Sequence, residues 1–217
     1  MAATIPSRIQ RRLIRAGLEL PVAQVTQLSD YFCLLAKWNA KISLTSLQMD
    51  PAGDDAVDRL LVEPVLAATR MGIPSEARLI DLGSGGGSPG FPIRIAVPGV
   101  RTTLVESKTR KCAFLREVAR TLKLQDVEVV TARFEELLTR PDLHEAADFL
   151  SLRAVRADGR LWRTTQAFLK PGGQVIWFAS AQQGKREVPP PFAIESAEVL
   201  LPATGSHLIR LRKLGRV

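Results

Sequence analysis

The sequence predicts an α/β fold: a mostly parallel, seven-stranded sheet with helices on both faces, preceded by an N-terminal helical extension. Three observations lead to this prediction. Apolar residues recur at steps of three and four in the N-terminal third, short apolar strands alternate with helices from Ala77 onward, and a glycine-rich turn follows the first strand. Such alternation is typical of a parallel sheet covered on both sides. We therefore divide a single domain of 217 residues into an extension, 1–72, and a core, 73–217.

The extension is predicted to be helical because its apolar residues fall on one helical face. A basic stretch with four arginines, 8–15, is expected to form the first helix. A second helix is expected from Pro21 to Trp38, and a third from 54 to 71. Pro64 lies inside the third segment and should kink or break it, since proline lacks the N–H that a helix interior needs.

The core is predicted to hold five parallel strands and a closing hairpin. The strands are expected at 78–82, 101–106, 127–131, 148–152 and 174–179, and the hairpin at 195–201 and 207–211. Connecting helices are expected at 91–96 and 108–122. The sequence Leu169-Lys170-Pro171-Gly172-Gly173 is predicted to be a helix stop and turn before the fifth strand.

Composition limits the classes of function. The net charge of +8 and the pI near 10.1 favour a polyanionic partner such as nucleic acid. Cys33 and Cys112 are too few for a disulfide framework, and we expect two buried free thiols in a reducing, cytoplasmic compartment. The two histidines are isolated, so no metal site is expected. No apolar run approaches the roughly 18–20 residues that span a bilayer, so no membrane association is expected.

The glycine-rich turn is the strongest candidate for a binding site. The first strand ends around Asp81 and is followed by Gly83, Gly85 and Gly87, which places the turn at the carboxyl end of a parallel strand, where α/β sheets bind ligands. Glu106 ends the next strand, at the distance along the chain where an acid meets ribose hydroxyls. Asp81 is suited to accept a hydrogen bond from a cationic amino-acid head group.

A dinucleotide site is the competing interpretation, since Gly85-x-Gly87-x-x-Gly90 also matches that fingerprint. Two features disfavour it. Asp81 would sit close to a pyrophosphate, and Pro89 and Pro92 delay the helix whose N-terminus would hold the phosphates.

Several motifs together resemble one known family. They are Lys37-Trp38-Asn39 with Leu44-Thr45, the run from Asp81 to Pro92 with its Gly-x-Pro-Gly-x-Pro ending, Leu104-Val105-Glu106-Ser107, Arg133-Phe134-Glu135-Glu136, Arg153-Ala154 and the Leu-Lys-Pro-Gly-Gly turn. On these residues the chain is similar to the RsmG/GidB family of bacterial methyltransferases, which act on a guanine N7 of small-subunit ribosomal RNA. The resemblance implies a class I, Rossmann-like methyltransferase fold with S-adenosylmethionine (AdoMet) as cofactor.

The resemblance and the glycine-rich turn together nominate a set of site residues. We expect cofactor contacts from Asp81, Gly83, Ser84, Gly85, Gly87, Ser88, Glu106, Ser107, Phe134, Glu135 and Arg153. Methylation of N7 needs no base because that atom carries a free lone pair, so catalysis would depend mainly on positioning. An arginine near the base could bind guanine O6, and Arg153 and Arg133 are the catalytic candidates.

Some positions depart from the family pattern. The usual His-x-x-Asp-Ser before the sheet is Arg59-Leu60-Leu61-Val62-Glu63 here, and Ser180-Ala181 replace the Lys-Gly that commonly follows the fifth strand. The departures fall on the expected substrate side. The leading hypothesis is a monomeric enzyme that modifies ribosomal RNA or the 30S subunit. The alternatives are a diverged methyltransferase acting on another RNA or a small molecule, a non-catalytic AdoMet- or RNA-binding module, and a nucleotide oxidoreductase.

Overall fold

The computed structural model describes residues 4–49, 53–180 and 188–215, and seven strands form one sheet in it. The strands are β1 (Arg78–Leu82), β2 (Arg101–Glu106), β3 (Val127–Thr131), β4 (Ala147–Arg153), β5 (Leu169–Ala179), β6 (Phe192–Val199) and β7 (His207–Lys213). Their order is β3-β2-β1-β4-β5-β7-β6. The first five strands are parallel, and β7 joins β5 antiparallel before pairing with β6. The predicted seven-stranded sheet and closing hairpin are confirmed.

Helices cover both faces of the sheet. They are α1 (Ile5–Arg15), α2 (Val22–Asn39), α3 (Asp55–Val57), α4 (Glu63–Met71), α5 (Gly90–Ala96), α6 (Thr109–Thr121) and α7 (Gly159–Phe168). Apolar side chains of α1, α2, α4, α5 and α6 share one hydrophobic cluster. Side chains of α7 and of two short 3-10 turns after β3 fill a second cluster on the opposite face. The helices of the extension thus pack on one side of the sheet only.

Arginines of α1 are tied to acids at the start of the third helical segment. Arg8 Nε donates to Asp54 Oδ1 at 2.8 Å, and Arg12 makes a short ion pair with Asp58, whose side chain is 3% exposed. Two of the four arginines of α1 are therefore neutralised within the fold. Arg11 and Arg15 remain exposed.

The disruption predicted at Pro64 takes the form of a π-helical turn. Residues Asp58–Val62 form that turn between α3 and α4, and Pro64 lies in the first turn of α4. Pro64 has no N–H to donate to the carbonyl of Leu60, which instead accepts a hydrogen bond from Ser88 Oγ at 2.8 Å. The helix therefore continues through Pro64, and the freed carbonyl ties it to the glycine-rich turn.

The turn predicted at 169–173 was wrong. The helix does stop at Phe168, but Leu169 is fully buried and pairs with Ala147, so strand β5 begins there. A register shift between Ala147 and Phe149 and the positive φ of Gly172 (+80°) allow the strand to pass through the glycines. Burial of Leu169 therefore outweighs the local turn signal.

The two cysteines are free thiols, but only Cys112 is buried. Cys33 is exposed, since it lies on the face of α2 turned away from the core, and the prediction of two buried thiols was wrong for it. Within the described ranges, no three His, Cys, Asp or Glu side chains are grouped as metal ligands. The helices of those ranges include none with the length and apolarity needed to cross a membrane. Ala181, one of the departures noted above, lies outside the described residues.

Candidate functional site

The glycine-rich turn lies at the carboxyl edge of the sheet, between β1 and α5. The backbone N–H groups of Gly83 and Ser84 both donate to the carbonyl of Val105 at 2.9 Å, which fixes the turn against β2. Gly87 N–H then donates to Ser84 O at 2.6 Å. The turn is therefore a closed, hydrogen-bonded structure at the expected ligand edge.

The glycines of this turn are required by the packing of the chain itself. Gly87 has a φ of +86°, and a Cβ there would lie 2.4 Å from Phe91 Cδ2. At Gly83, with a φ of +73°, a Cβ would lie 2.7 Å from Val155 Cγ1. Side chains other than glycine would therefore disturb the turn before any ligand is considered.

Asp81 is the buried acid of the site. Its Oδ1 accepts a hydrogen bond from Ser151 Oγ at 2.6 Å, whereas its Oδ2 is buried and has no hydrogen-bond partner among the described residues. Burial raises the pKa of Asp81 from 3.8 to about 6, and the hydrogen bond from Ser151 opposes that shift. A buried carboxylate oxygen without a donor is costly, so this atom is suited to a cationic or N–H-bearing ligand group.

Glu106 closes the turn from the neighbouring strand. Its Oε2 accepts from Gly85 N–H at 3.0 Å, and its Oε1 accepts from Lys108 N–H at 2.8 Å and from Ser107 Oγ at 3.4 Å. A carboxylate offers about four acceptor sites, so these three donors leave room for one further donor. Glu106 can therefore support the turn and still accept from one hydroxyl group. Ser107 itself is exposed.

The two serine hydroxyls nominated from the sequence are both used within the fold. Ser84 Oγ donates to Asp81 O at 3.0 Å, and Ser88 Oγ donates to the carbonyl of Leu60. Ser84 is buried. Any contact that these two residues make with a ligand must come from the lone pairs of the hydroxyls or from the backbone.

Phe134, Glu135 and Arg133 lie at the far edge of the sheet, just after β3. Phe134 is half-buried and packs on the second hydrophobic cluster, which fits a core role for its ring. Glu135 is half-buried at the start of a 3-10 turn. Arg133 is exposed, and its backbone N–H donates to Glu136 Oε2 at 3.0 Å.

The two catalytic candidates are not brought together. Arg133 follows β3 and Arg153 ends β4, and β2 and β1 lie between these strands. Three strand spacings separate the backbones of β3 and β4 by about 14 Å, so the two arginines stand at different parts of the sheet edge. Of the two, only Arg153 stands beside Asp81, whose charge acts on it.

Arg153 is held by an acid that the sequence did not predict as its partner. Its Nη2 donates to Glu63 Oε2 at 2.8 Å, and its Nη1 makes a short hydrogen bond to the carbonyl of Arg59. The guanidinium lies 4.1 Å from the ring centroid of Phe178, in cation–π contact. Burial lowers the pKa of Arg153, and the Glu63 carboxylate opposes that shift. The Nε of Arg153 is buried and lacks a partner among the described residues.

A cavity of about 320 Å³ opens beside Arg153. Arg59, Glu63, Arg153 and Phe178 line one part of it, and loop residues 45–47 line another. The size falls within the range of small-ligand sites. Because it adjoins Arg153, which is close to Asp81, this cavity can present a second molecule to a ligand held on the glycine-rich turn.

Sequence reasoning assigned no role in the site to four residues that build it: Glu63, Phe178, Tyr31 and Asn39. Tyr31 donates its hydroxyl to Gly86 O at 2.6 Å. Asn39 Oδ1 accepts from the N–H groups of Leu44 (2.8 Å) and Thr45 (2.9 Å), and thereby fixes the loop beside the turn. Asn39 belongs to a motif that the sequence analysis did single out. No local signal marks the other three, because their partners lie 55 or more residues away in the chain or on another strand.

Comparisons with known proteins show a similarity to one family over most of the chain. The sequence model of the family described as "rRNA small subunit methyltransferase G" matches residues 24–190. The chain is 33% identical over 160 residues to a ribosomal RNA small subunit methyltransferase G of Alkaliphilus oremlandii, covering 74% of this chain and 66% of that protein. It is 39% identical over 167 residues to the protein of the same name from Roseiflexus castenholzii, covering 74% of this chain and 70% of that protein.

A solved structure supports the fold alone. The chain is similar to a SAM-dependent methyltransferase from Aquifex aeolicus with a TM-score of 0.57 and 13% identity, covering 73% of this chain and 93% of that one. This likeness fits the class I methyltransferase architecture expected from the strand order and the turn after β1.

Proposed function

The chain belongs to the rRNA small subunit methyltransferase G family, and we propose that it transfers a methyl group from AdoMet to N7 of a guanine in small-subunit (16S) ribosomal RNA. The observation that carries the cofactor assignment is the buried, unpartnered Oδ2 of Asp81 at the glycine-rich turn. A carboxylate oxygen in that position suits the ammonium group of an amino acid and repels a pyrophosphate.

The residues of the turn fit AdoMet. Asp81 would accept from its amino-acid part, Glu106 has one acceptor site left for a ribose hydroxyl, and the backbone of Gly83 and Gly85 forms the rim. When bound, AdoMet supplies a methyl group on a positively charged sulfur. Ser84 and Ser88 shape the turn through their internal hydrogen bonds. Phe134 and Glu135 would approach the adenine from the β3 side.

The cavity beside Arg153 suits an acceptor that needs no base. Its described lining includes neither histidine nor lysine, and its one carboxylate, Glu63, is already paired with Arg153. Guanine N7 carries a free lone pair, so positioning suffices. Arg153 donates two of its five guanidinium N–H groups, one to Glu63 and one to the carbonyl of Arg59. The remaining N–H groups, including that of the unpartnered Nε, are the donors proposed for guanine O6, which neighbours N7.

We assign the enzyme to the cytoplasm as a monomer whose substrate is ribosomal RNA or the 30S subunit. The alternative of another RNA or a small molecule as substrate is kept because Arg59 and Glu63, which line the cavity, stand in the segment that departs from the family pattern. A small-molecule enzyme would not depend on salt in its substrate binding, whereas RNA binding would weaken steeply with salt.

The cofactor assignment is tested by calorimetric titration of the purified protein with AdoMet and with NAD. We expect saturable AdoMet binding, lost in Gly83→Asp, and no NAD binding. Saturable NAD binding without AdoMet binding would reject a methyltransferase. Arg70→Gln, a change in a surface ion pair far from the turn, is the matched control and should keep AdoMet binding.

A further inference from the structure

A basic groove opens between the end of α2 and the start of α6. It has a volume of about 450 Å³ and is lined by Lys37, Trp38, Lys41, Ile42, Arg110 and Glu117. Lys37, Lys41 and Arg110 are exposed. Trp38 and Ile42 are half-buried and supply an apolar floor, with the Trp38 ring resting on Phe114 at a centroid distance of 5.8 Å. Three cations therefore surround one aromatic surface.

These cations are not neutralised by the fold. None of Lys37, Lys41 and Arg110 lies within 4.0 Å of a carboxylate in the parts of the chain that the structure describes. In contrast, Arg8 and Arg12 of α1 and Lys213 of β7 each pair with an acid. The groove therefore keeps its positive charge, and Glu117 is the one acid among the described residues that line it.

The position of Arg110 costs helix stability. It lies in the first turn of the 13-residue helix α6, which holds no acidic residue in that turn. Cations at a helix N-terminus oppose the helix dipole and therefore destabilise the helix. Free N–H groups and positive charge at that end both favour a phosphate. A cation in this unfavourable place is explained if an anion binds there.

The groove lies on the same edge of the sheet as the glycine-rich turn. Helix α6 begins just after Glu106, whose carboxylate holds the turn through Gly85. On the other side, the chain leaving α2 is fixed by Asn39 and reaches Leu44, whose carbonyl lies 3.3 Å from where a Cβ on Gly86 would be. A chain of phosphates leaving the cofactor edge can thus continue into the groove.

We propose that this groove binds a nucleotide of the RNA substrate next to the target, with phosphates held by Lys37, Lys41 and Arg110 and a base stacked on Trp38. The proposal rests on the proposed function, since it takes RNA as the substrate. Phosphate contacts neutralise charge, and stacking on an aromatic ring adds affinity that does not depend on which base is stacked. The groove would therefore add affinity and orientation rather than base specificity.

Tryptophan fluorescence offers a direct readout of the stacking. The chain has three tryptophans, and Trp162 and Trp177 are 7% and 2% exposed, so Trp38 is the one open to a base. Titration with an unmodified in vitro transcript of small-subunit ribosomal RNA should quench the fluorescence of the full-length protein. Trp38→Phe should keep the fold and remove the quenched component.

Salt dependence tests the phosphate contacts. The variant with Lys37→Gln, Lys41→Gln and Arg110→Gln should bind the same transcript more weakly, and its slope of log affinity against log salt should shrink by about two to three. The matched control removes three exposed cations at the opposite edge of the sheet, as Arg101→Gln, Arg120→Gln and Lys123→Gln. It should change the slope by well under one.

The proposed RNA contact at the groove would be overturned if the two triple variants had equal RNA affinities and equal salt slopes. It would also be overturned if the wild-type protein bound RNA without fluorescence quenching. These measurements need no methyl transfer. Groove-dependent binding without any methylated product would therefore reject the proposed function and leave the groove standing. Calorimetric AdoMet binding by both triple variants verifies that neither loses the cofactor site.

Discussion

Replacing Asp81 by asparagine should stabilise the ligand-free protein at neutral and alkaline pH. Burial raises the pKa of Asp81 from 3.8 to about 6, so the folded protein holds this proton more tightly than the unfolded chain. Protonated Asp81 therefore favours the folded state. Its contribution to the free energy of unfolding is complete below the unfolded pKa of 3.8 and is lost as the pH rises through about 6. The difference corresponds to about 3 kcal/mol once Asp81 is fully ionised.

The asparagine variant avoids that loss because it carries no charge, and its oxygen can still accept from Ser151. We expect its free energy of unfolding, measured by urea denaturation without ligand, to exceed that of the wild type by up to about 3 kcal/mol at about pH 8. At about pH 5 the gain should be about half as large, because the loss in the wild type builds up between the unfolded pKa of 3.8 and the folded pKa of about 6. Asp30→Asn, a change at an exposed acid, is the control and should leave both values unchanged.

The same variant should bind AdoMet about 10- to 100-fold more weakly, since a hydrogen bond to a charged group contributes about 1.5–3 kcal/mol. If Asp81→Asn raises the stability of the fold and lowers its affinity for AdoMet, the charge of Asp81 serves ligand binding at a cost in stability. An Asp81→Asn protein that is less stable than the wild type at about pH 8, or that binds AdoMet equally well, would refute this reasoning.

Three further predictions concern the same site. AdoMet affinity should fall as the pH is lowered through about 6, where Asp81 gains a proton. Calorimetry in buffers of different ionisation enthalpy should therefore detect proton release when AdoMet binds. An affinity that does not depend on pH in this range contradicts the role of Asp81. Gly87→Ala should lower the free energy of unfolding by about 2–4 kcal/mol, because the new Cβ would overlap Phe91. The control Gly172→Ala has a similar φ but open space around the new Cβ, and it should lower that free energy by about 1 kcal/mol. Equal losses for the two variants in urea denaturation would argue against steric overlap at Gly87. Glu63→Ala should lower the free energy of unfolding by about 3–5 kcal/mol, because Arg153 would stay buried without its acid, and Glu63→Gln should lower it less. Unchanged thermal unfolding of both variants would mean that this ion pair is not formed.

Much of the fold follows from local sequence signals. Strands β2 and β3 begin and end at the predicted residues, because each is a short run rich in Val and Thr bounded by turn residues. Helices α2 and α6 match within one or two residues for a similar reason, since their apolar residues recur on one face. Local patterns suffice where a single element buries one clear face.

The structure differs from the sequence-based predictions where contacts with distant parts of the chain determine the local conformation. Leu169 joins β5 because it is buried against β4, which outweighs the proline and glycines that follow it. The hydrogen bond from Ser88 to Leu60 links the turn to a helix 28 residues earlier. A turn signal carries no information about such partners.

The candidate site divides in the same way. Asp81, Glu106 and the glycines could be nominated from the sequence because they stand at or just after the ends of two consecutive strands. Glu63 was missed as the partner of Arg153 because the pair spans 90 residues, with strands β1, β2 and β3 between them in the chain. The glycine-rich turn and its acids are thus encoded by local sequence signals, whereas the cavity beside Arg153 is assembled by the fold.

The central claim is tested most directly by transfer of a labelled methyl group from AdoMet to small-subunit ribosomal RNA or 30S particles from a strain that lacks the endogenous activity, followed by nucleoside analysis. The proposed reaction predicts label in 7-methylguanosine with the wild-type protein, and no label with Gly83→Asp. Binding of AdoMet without label in 7-methylguanosine on either substrate would contradict the proposed reaction.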